Sequence, residues 1–155
     1  MKHNNILSKK IIKYFIDDIS IFGSISFYWV FSAAVFFLGL YELFNRLAYC
    51  FLISIIVVIA IKSVHYKDRP QKEEFTIFME KMIASSFPST HSINITLISI
   101  LLIYTFSYNW LMVMMPIIAF LVYLQRYISK KHFIIDIIGG ILIGVAEAVF
   151  VLKVL

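Results

Sequence analysis

Long apolar runs alternate with short polar breaks from residue 24 almost to the end of the chain. The runs fall at roughly 24–41, 46–64, 90–106, 110–124 and 133–152. Each predicts a membrane helix. Several are shorter than the ~20 residues a bilayer crossing needs, so the helices are expected to extend past the apolar runs. The first ends at Glu42 and Arg46, and Ser107-Tyr108-Asn109 makes a tight break between the third and fourth. Pro116 is expected to kink the fourth.

Two other stretches carry a helical period with charges between the apolar positions. In residues 1–22, Ile11, Ile12, Phe15, Ile16, Ile19 and Phe22 recur at helical spacing, with Lys9, Lys10, Lys13, Asp17 and Asp18 among them. That many charges oppose crossing, so the pattern predicts a helix lying on the membrane surface. In the polar stretch after residue 64, Phe75, Phe78, Met79 and Met82 repeat the pattern beside Lys72, Glu73, Glu74, Glu80 and Lys81. A second short interfacial helix follows, its apolar stripe read as packing or lipid contact. The expected architecture is all-α: one domain over residues 1–155, with about five transmembrane helices plus an N-terminal amphipathic helix.

Composition agrees. Of 155 residues, 61% are hydrophobic and 17% aromatic, with a mean hydropathy of +0.90, well above a soluble domain of this size. The partner implied throughout is the lipid bilayer. Cys50 is the one cysteine and lies in an apolar run, which leaves no disulfide framework and no thiolate metal site. Basic residues outnumber acidic ones by 14 to 9, which suits anionic headgroups or phosphate. Spread among membrane spans, they make no surface for nucleic acid. The N-terminus has lysines but no short apolar core with a small-residue cleavage site, so no cleavable signal peptide is expected.

Three polar constellations stand at span ends on one side. His132 and Asp136 are four apart, which on a helix puts them on one face a turn apart. A carboxylate on one ring nitrogen would fix the tautomer and leave the other as base or nucleophile. The plainer reading is a helix end carrying interfacial charges. Lys62 and Arg69 are seven apart, nearly two turns, and so align on a helix that Pro70 should stop at residue 69. Two cations aimed past a helix end suit an oxyanion, although single cations at an interface commonly snorkel. Phe87-Pro88-Ser89-Thr90-His91-Ser92 reads as a helix N-terminus, whose free N–H groups bind anions, with His91 able to donate a proton.

Together these stretches resemble the type-2 phosphatidate phosphatase superfamily of membrane lipid phosphatases. The family signature stands here as Lys62 with Arg69-Pro70, Pro88-Ser89-Thr90-His91, and Arg126 with His132 and Asp136. Order and spacing match over about the last 100 residues, with Gln125 where the family has serine and Thr90 where it usually has glycine. Members usually have six spans, and the surface helix at 11–22 would stand in for one. The resemblance implies that His132 attacks phosphorus to give a phosphohistidine, with Asp136 holding the ring. His91 would protonate the leaving oxygen and then activate water. Lys62, Arg69, Arg126, the Ser89 hydroxyl and the Thr90 backbone N–H would hold the non-bridging oxygens. No metal and no cofactor is implied, and the partner molecule is a membrane lipid phosphate: isoprenyl pyrophosphate, phosphatidylglycerophosphate, phosphatidate or lipid A phosphate.

Other polar residues have quieter readings. His65 lies off the Lys62–Arg69 face. Glu147 is an intramembrane acid but near the far end of its span, which favours an interface anchor over a functional role. Gly140, Gly144 and Ala148 continue the i+4 stripe from Asp136 and are read as close helix packing inside the monomer, with a dimer contact second. Asn94-Ile-Thr96 spells a glycosylation acceptor but lies inside a span. All lysines and arginines except Arg46 and Lys153 fall on the motif side, which by the positive-inside rule is cytoplasmic. The resemblance points to an extracytoplasmic site, and it is followed here. Two other classes compete with an enzyme. A catalytically dead lipid-binding relative would not need His91, His132 and Asp136 together. A transport component would carry its polar groups near the bilayer midplane.

Overall fold

The computed structural model describes residues 14, 17–71, 80 and 84–155. The amphipathic stretch expected over 72–82, apart from Glu80, lies outside these residues, as do the N-terminal positions up to Lys13 together with Phe15 and Ile16. Among the described residues the fold is helical throughout. Five apolar helices run α1 (Ile25–Phe37), α2 (Tyr41–Val64), α3 (Thr90–Phe106), α4 (Asn109–Ile128) and α5 (Ile134–Val154).

Three of these, α2, α4 and α5, are long and apolar enough to cross a bilayer alone. The helical segment Asp17–Gly23, which ends in the 3-10 turn Ser20–Gly23, meets α1 at 57° and would make a fourth as a bent pair. Ser24 forms the break and caps α1 by accepting from the Phe27 N–H at 3.1 Å. α2 and α4 extend past their apolar runs, as expected, α2 starting at Tyr41 and α4 reaching Ile128, while α3 coincides with its run. One boundary moves the other way. α1 stops at Phe37, Gly39 turns the chain with φ 76°, and Glu42 and Arg46 belong to α2. There they pair across one helical turn, which gives the nearly buried Arg46 charge a carboxylate partner. Ser107, in the left-handed region at φ 50°, makes the expected break between α3 and α4. Pro116 sits within α4, which runs on unbroken.

Only α3 has 17 residues, and it is the helix the others surround. From Ser92 to Ser99 every residue is buried. A helix enclosed by others needs no polar partner outside the bundle, provided its own polar side chains are bonded. Thr96 and Ser99 bond the carbonyls of Ser92 and Ile95 one turn back, Tyr123 of α4 meets the Thr96 hydroxyl at 2.7 Å, and Asn94 donates to the Gly23 carbonyl at 3.0 Å. Asn94 is thus interior.

Small residues set the α3–α5 contact. A methyl on Gly140 would lie 2.5 Å from the Ser89 carbonyl, and one on Gly144 would lie 2.9 Å from Thr96 Cβ. Ala148 is fully buried. The stripe is an intramolecular packing surface, the first of the two readings given for it. Outward faces carry Trp29, Val30, Phe37, Val113, Phe120, Leu142 and Phe150, all exposed. A bundle with polar groups bonded inside and large apolar groups outside is built for lipid. The protein is a polytopic membrane protein.

Candidate active site

The start of α1, the end of α2, the start of α3, the end of α4 and the start of α5 meet at one end of the bundle. There they enclose a cavity of about 480 Å³ lined by Lys62, Arg69, Thr90, His91, Arg126, Lys131 and His132, with Ile25, Val58 and Ile59 below. Six of the eight residues singled out in the sequence therefore line one space. Ser89 and Asp136 lie behind it, both fully buried. His65 is exposed and apart from it.

Lys62 and Arg69 do not share a helix face. α2 stops at Val64, five residues before the residue that Pro70 constrains, and residues 65–69 run without helix. The backbone finds other partners there: Ser86 N–H donates to the Lys67 carbonyl at 2.8 Å, and the Ser86 hydroxyl donates to the Asp68 carbonyl at 3.0 Å. Lys62 Nζ donates to the Ser85 carbonyl at 3.0 Å. Arg69 reaches the cavity on this strap, not by helical register.

The N-terminus of α3 behaves as predicted. Ser89 is the N-cap, its Oγ accepting from Ser92 N–H at 3.4 Å and from the Ser92 hydroxyl at 3.0 Å. The Ser89 N–H itself donates to the Asp136 carbonyl at 3.1 Å, and a cis Phe87–Pro88 peptide precedes it. Thr90 is thus the first helical residue, where a backbone N–H has no acceptor within the helix. His91 follows it on the cavity wall.

His132 also lies outside a helix. After α4, Lys130 takes φ 56°, unusual for a residue with a side chain. The chain turns back so that Lys131 N–H and His132 N–H both donate to the Arg126 carbonyl at 3.2 Å. Phe133 is the N-cap of α5 and Asp136 its third residue. His132 and Asp136 are therefore related by cap geometry and not by helical i,i+4 spacing. Asp136 Oδ2 accepts from Phe133 N–H at 2.8 Å, and Oδ1 pairs with Lys67 Nζ. The imidazole Nδ1 lies 2.8 Å from the Ser86 carbonyl and 4.0 Å from the Asp136 carboxylate. A carbonyl can only accept, so Nδ1 carries the proton, and Nε2 is left as the lone-pair nitrogen of a ring that lines the cavity.

Electrostatics favours that neutral form. Burial is the largest influence on His132, followed by the Arg126 guanidinium. Against the weaker upward pull of the Ser86 carbonyl and Asp136, they push its pKa down to about 4. Four cations around a buried neutral imidazole make a place for a phosphate that a nitrogen can attack. Among the described residues, no three His, Cys, Asp or Glu side chains are grouped so as to hold a metal ion.

Lys67 and Ser86 have no part in the sequence analysis, and Lys131 counts there only as one of the cations that precede His132. Lys67 and Lys131 stand inside or beside the quoted stretches and carried only their charge as a signal. Ser86 acts through its backbone carbonyl, for which a sequence has no letter. Glu147 is a correction: it is buried in the bundle, bonded to the Ser54 hydroxyl of α2, and not anchored at an interface. α5 turns that position onto α2, where a membrane acid can find a donor.

No curated protein matches the chain in a sequence comparison. The crystal structure of LpxE from Aquifex aeolicus superposes with a TM-score of 0.76 at 21% identity, over 92% of this chain and 86% of that one, a likeness of fold. The model of the PAP2 superfamily matches residues 44–155, the stretch from the start of α2 onward that supplies Lys62, Arg69, Thr90, His91, Arg126 and His132. The chain belongs to the PAP2 superfamily and is a lipid phosphatase of the membrane.

Proposed function

We propose that this protein removes a phosphate from a membrane lipid phosphomonoester or pyrophosphate through a phosphohistidine on His132. The observation that carries the reading is the His132 ring, held by the Ser86 carbonyl with Nε2 left for a cavity walled by Lys62, Arg69, Arg126 and Lys131. Nε2 forms a bond to phosphorus as the bond to the leaving oxygen breaks. His91, on the same wall, gives that oxygen its proton. In the second half His91 takes a proton from water, whose oxygen displaces Nε2 and releases phosphate. The cations and the Thr90 N–H hold the non-bridging oxygens, where charge accumulates. Asp136 acts on the ring through charge at 4.0 Å, while the Ser86 carbonyl sets its orientation.

A lipid substrate is supported by what lies below the cations. A second cavity of about 170 Å³, lined by Phe51, Ser54, Ile55 and Ile93, shares Ile25, Val58, Ile59 and Thr90 with the first. From Lys62 to Phe51 along α2 is about 16 Å at 1.5 Å per residue, room for one hydrocarbon chain with its phosphate among the cations. The deciding experiment is phosphate release by the purified protein from isoprenyl pyrophosphate, phosphatidylglycerophosphate, phosphatidate and lipid A phosphate, with chelator present. Release from at least one, lost in His132→Ala, is expected. Activity that requires added magnesium, or that survives in His132→Ala, would overturn the reading.

A further inference from the structure

Gln125, one of the two residues at which this chain departs from the signature, is nearly buried and lies between a carboxylate and a cavity cation. Its Nε2 donates to Asp17 Oδ1 at 3.1 Å, and its Oε1 accepts from Arg126 Nη1 at 3.5 Å. Asp17 is outside the stretch that the family model matches, which begins at residue 44. The segment that carries it is fastened to the site. Gly23 offers its carbonyl to Asn94 and packs so closely on α3 that a methyl there would lie 2.8 Å from the His91 carbonyl. Asp17, Ser20 and Ser24 also wall a space that His91 lines.

An amide can turn over, presenting either NH₂ or oxygen to a neighbour. Toward a guanidinium only the oxygen is useful. A carboxylate on the far side accepts only, so it selects the rotamer that aims Nε2 at itself and Oε1 at Arg126. We propose that Asp17 and Gln125 are positioning residues that hold the Arg126 guanidinium on the substrate phosphate. The N-terminal segment would then complete the phosphate site. This rests on the proposed function, in which Arg126 binds a non-bridging oxygen.

The test is kcat and KM on a short-chain, soluble phosphate ester, with inhibition by vanadate, for Asp17→Ala, Asp17→Asn, Arg126→Ala and the Asp17→Ala/Arg126→Ala double variant. Asp17→Ala should lose about tenfold in kcat/KM and in vanadate affinity, the scale of one misaligned charge-assisted contact. Asp17→Asn, which keeps an acceptor oxygen, should retain most of both. In the Arg126→Ala background, Asp17→Ala should cost nothing further, because the two act through one contact. Gln125→Leu, which keeps the volume, should match Asp17→Ala and serves if that variant folds poorly. Equal losses in both backgrounds, or Asn as poor as Ala, would overturn the relay. An impaired Arg126→Ala beside an unimpaired Asp17→Ala would overturn the relay and leave the proposed function standing. Unimpaired Arg126→Ala would remove Arg126 from the site, and the relay with it.

Discussion

His132 Nδ1 is 2.8 Å from the carbonyl oxygen of Ser86, a residue 46 positions earlier in the chain. That bond, not the carboxylate at 4.0 Å, sets the tautomer of the proposed nucleophile. It divides the work usually given to one acid. The carbonyl orients the ring, and Asp136 supplies charge and caps α5.

The division predicts a graded response. His132→Ala and His91→Ala should each abolish phosphate release while the proteins still insert and fold. Asp136→Asn should keep the ring in place and lose only the charge and the Lys67 pair, so kcat should fall by roughly 10²–10⁴, the range of an assisted proton or charge step. Initial rates of purified variants in detergent decide it. An Asp136→Asn enzyme as active as wild type would remove the carboxylate from the mechanism.

The lowered pKa of His132 makes two statements about pH. As nucleophile, the ring should stay competent on a soluble ester until the pH approaches about 4, and the acid limb of kcat/KM should move upward in Arg126→Ala. Stability follows from the same shift: between about 6.5 and about 4 the unfolded imidazole binds a proton that the folded one refuses. Folding stability from this group is therefore lost as pH falls through that window. Melting temperatures of wild type and His132→Gln, compared from pH 7 to pH 4, should show the loss in wild type and a smaller one in the variant.

Gly140 should not tolerate a larger side chain. Its added Cβ would lie 2.5 Å from the backbone carbonyl of Ser89, which cannot swing aside as a flexible side chain can. Gly140→Val should cost about 1–3 kcal/mol of stability by overpacking and displace the Ser89–His91 turn. Thermal unfolding and activity should fall together. A variant with wild-type values for both would mean that α5 can slide on α3.

Ser54 donates to the buried Glu147. Ser54→Ala leaves that carboxyl without this donor and should destabilise by about 1–3 kcal/mol, the usual cost of an orphaned buried polar group. The double variant Ser54→Ala/Glu147→Leu should recover much of the loss. Thermal unfolding of the single and double variants provides the check, and the idea fails if the single variant unfolds at the wild-type temperature.

Local pattern carried a great deal here. Five apolar runs, a helix start at Phe87–Ser92 and the Ser107 break rest on interactions within one or two helical turns, and the i+4 spacing of Gly140, Gly144 and Ala148 shows in the order of the letters, though the surface they pack on does not. The three signature stretches likewise placed His91, His132, Lys62, Arg69 and Arg126 at helix ends on one side. What only the tertiary structure decided is how those residues are held. Spacing alone puts Lys62 with Arg69, and His132 with Asp136, on continuous helices, because spacing is all a sequence offers. In the folded chain both helices yield to partners elsewhere in it. Ser85 and Ser86 bind the strap after α2, and the turn at Lys130 returns His132 to Arg126 before α5 begins. Gln125 and Asp17 are 108 residues apart, and Ser54 and Glu147 are 93 apart. No periodicity links such pairs. They meet because four helices pack around α3, and a buried polar group takes whichever partner that packing brings within reach.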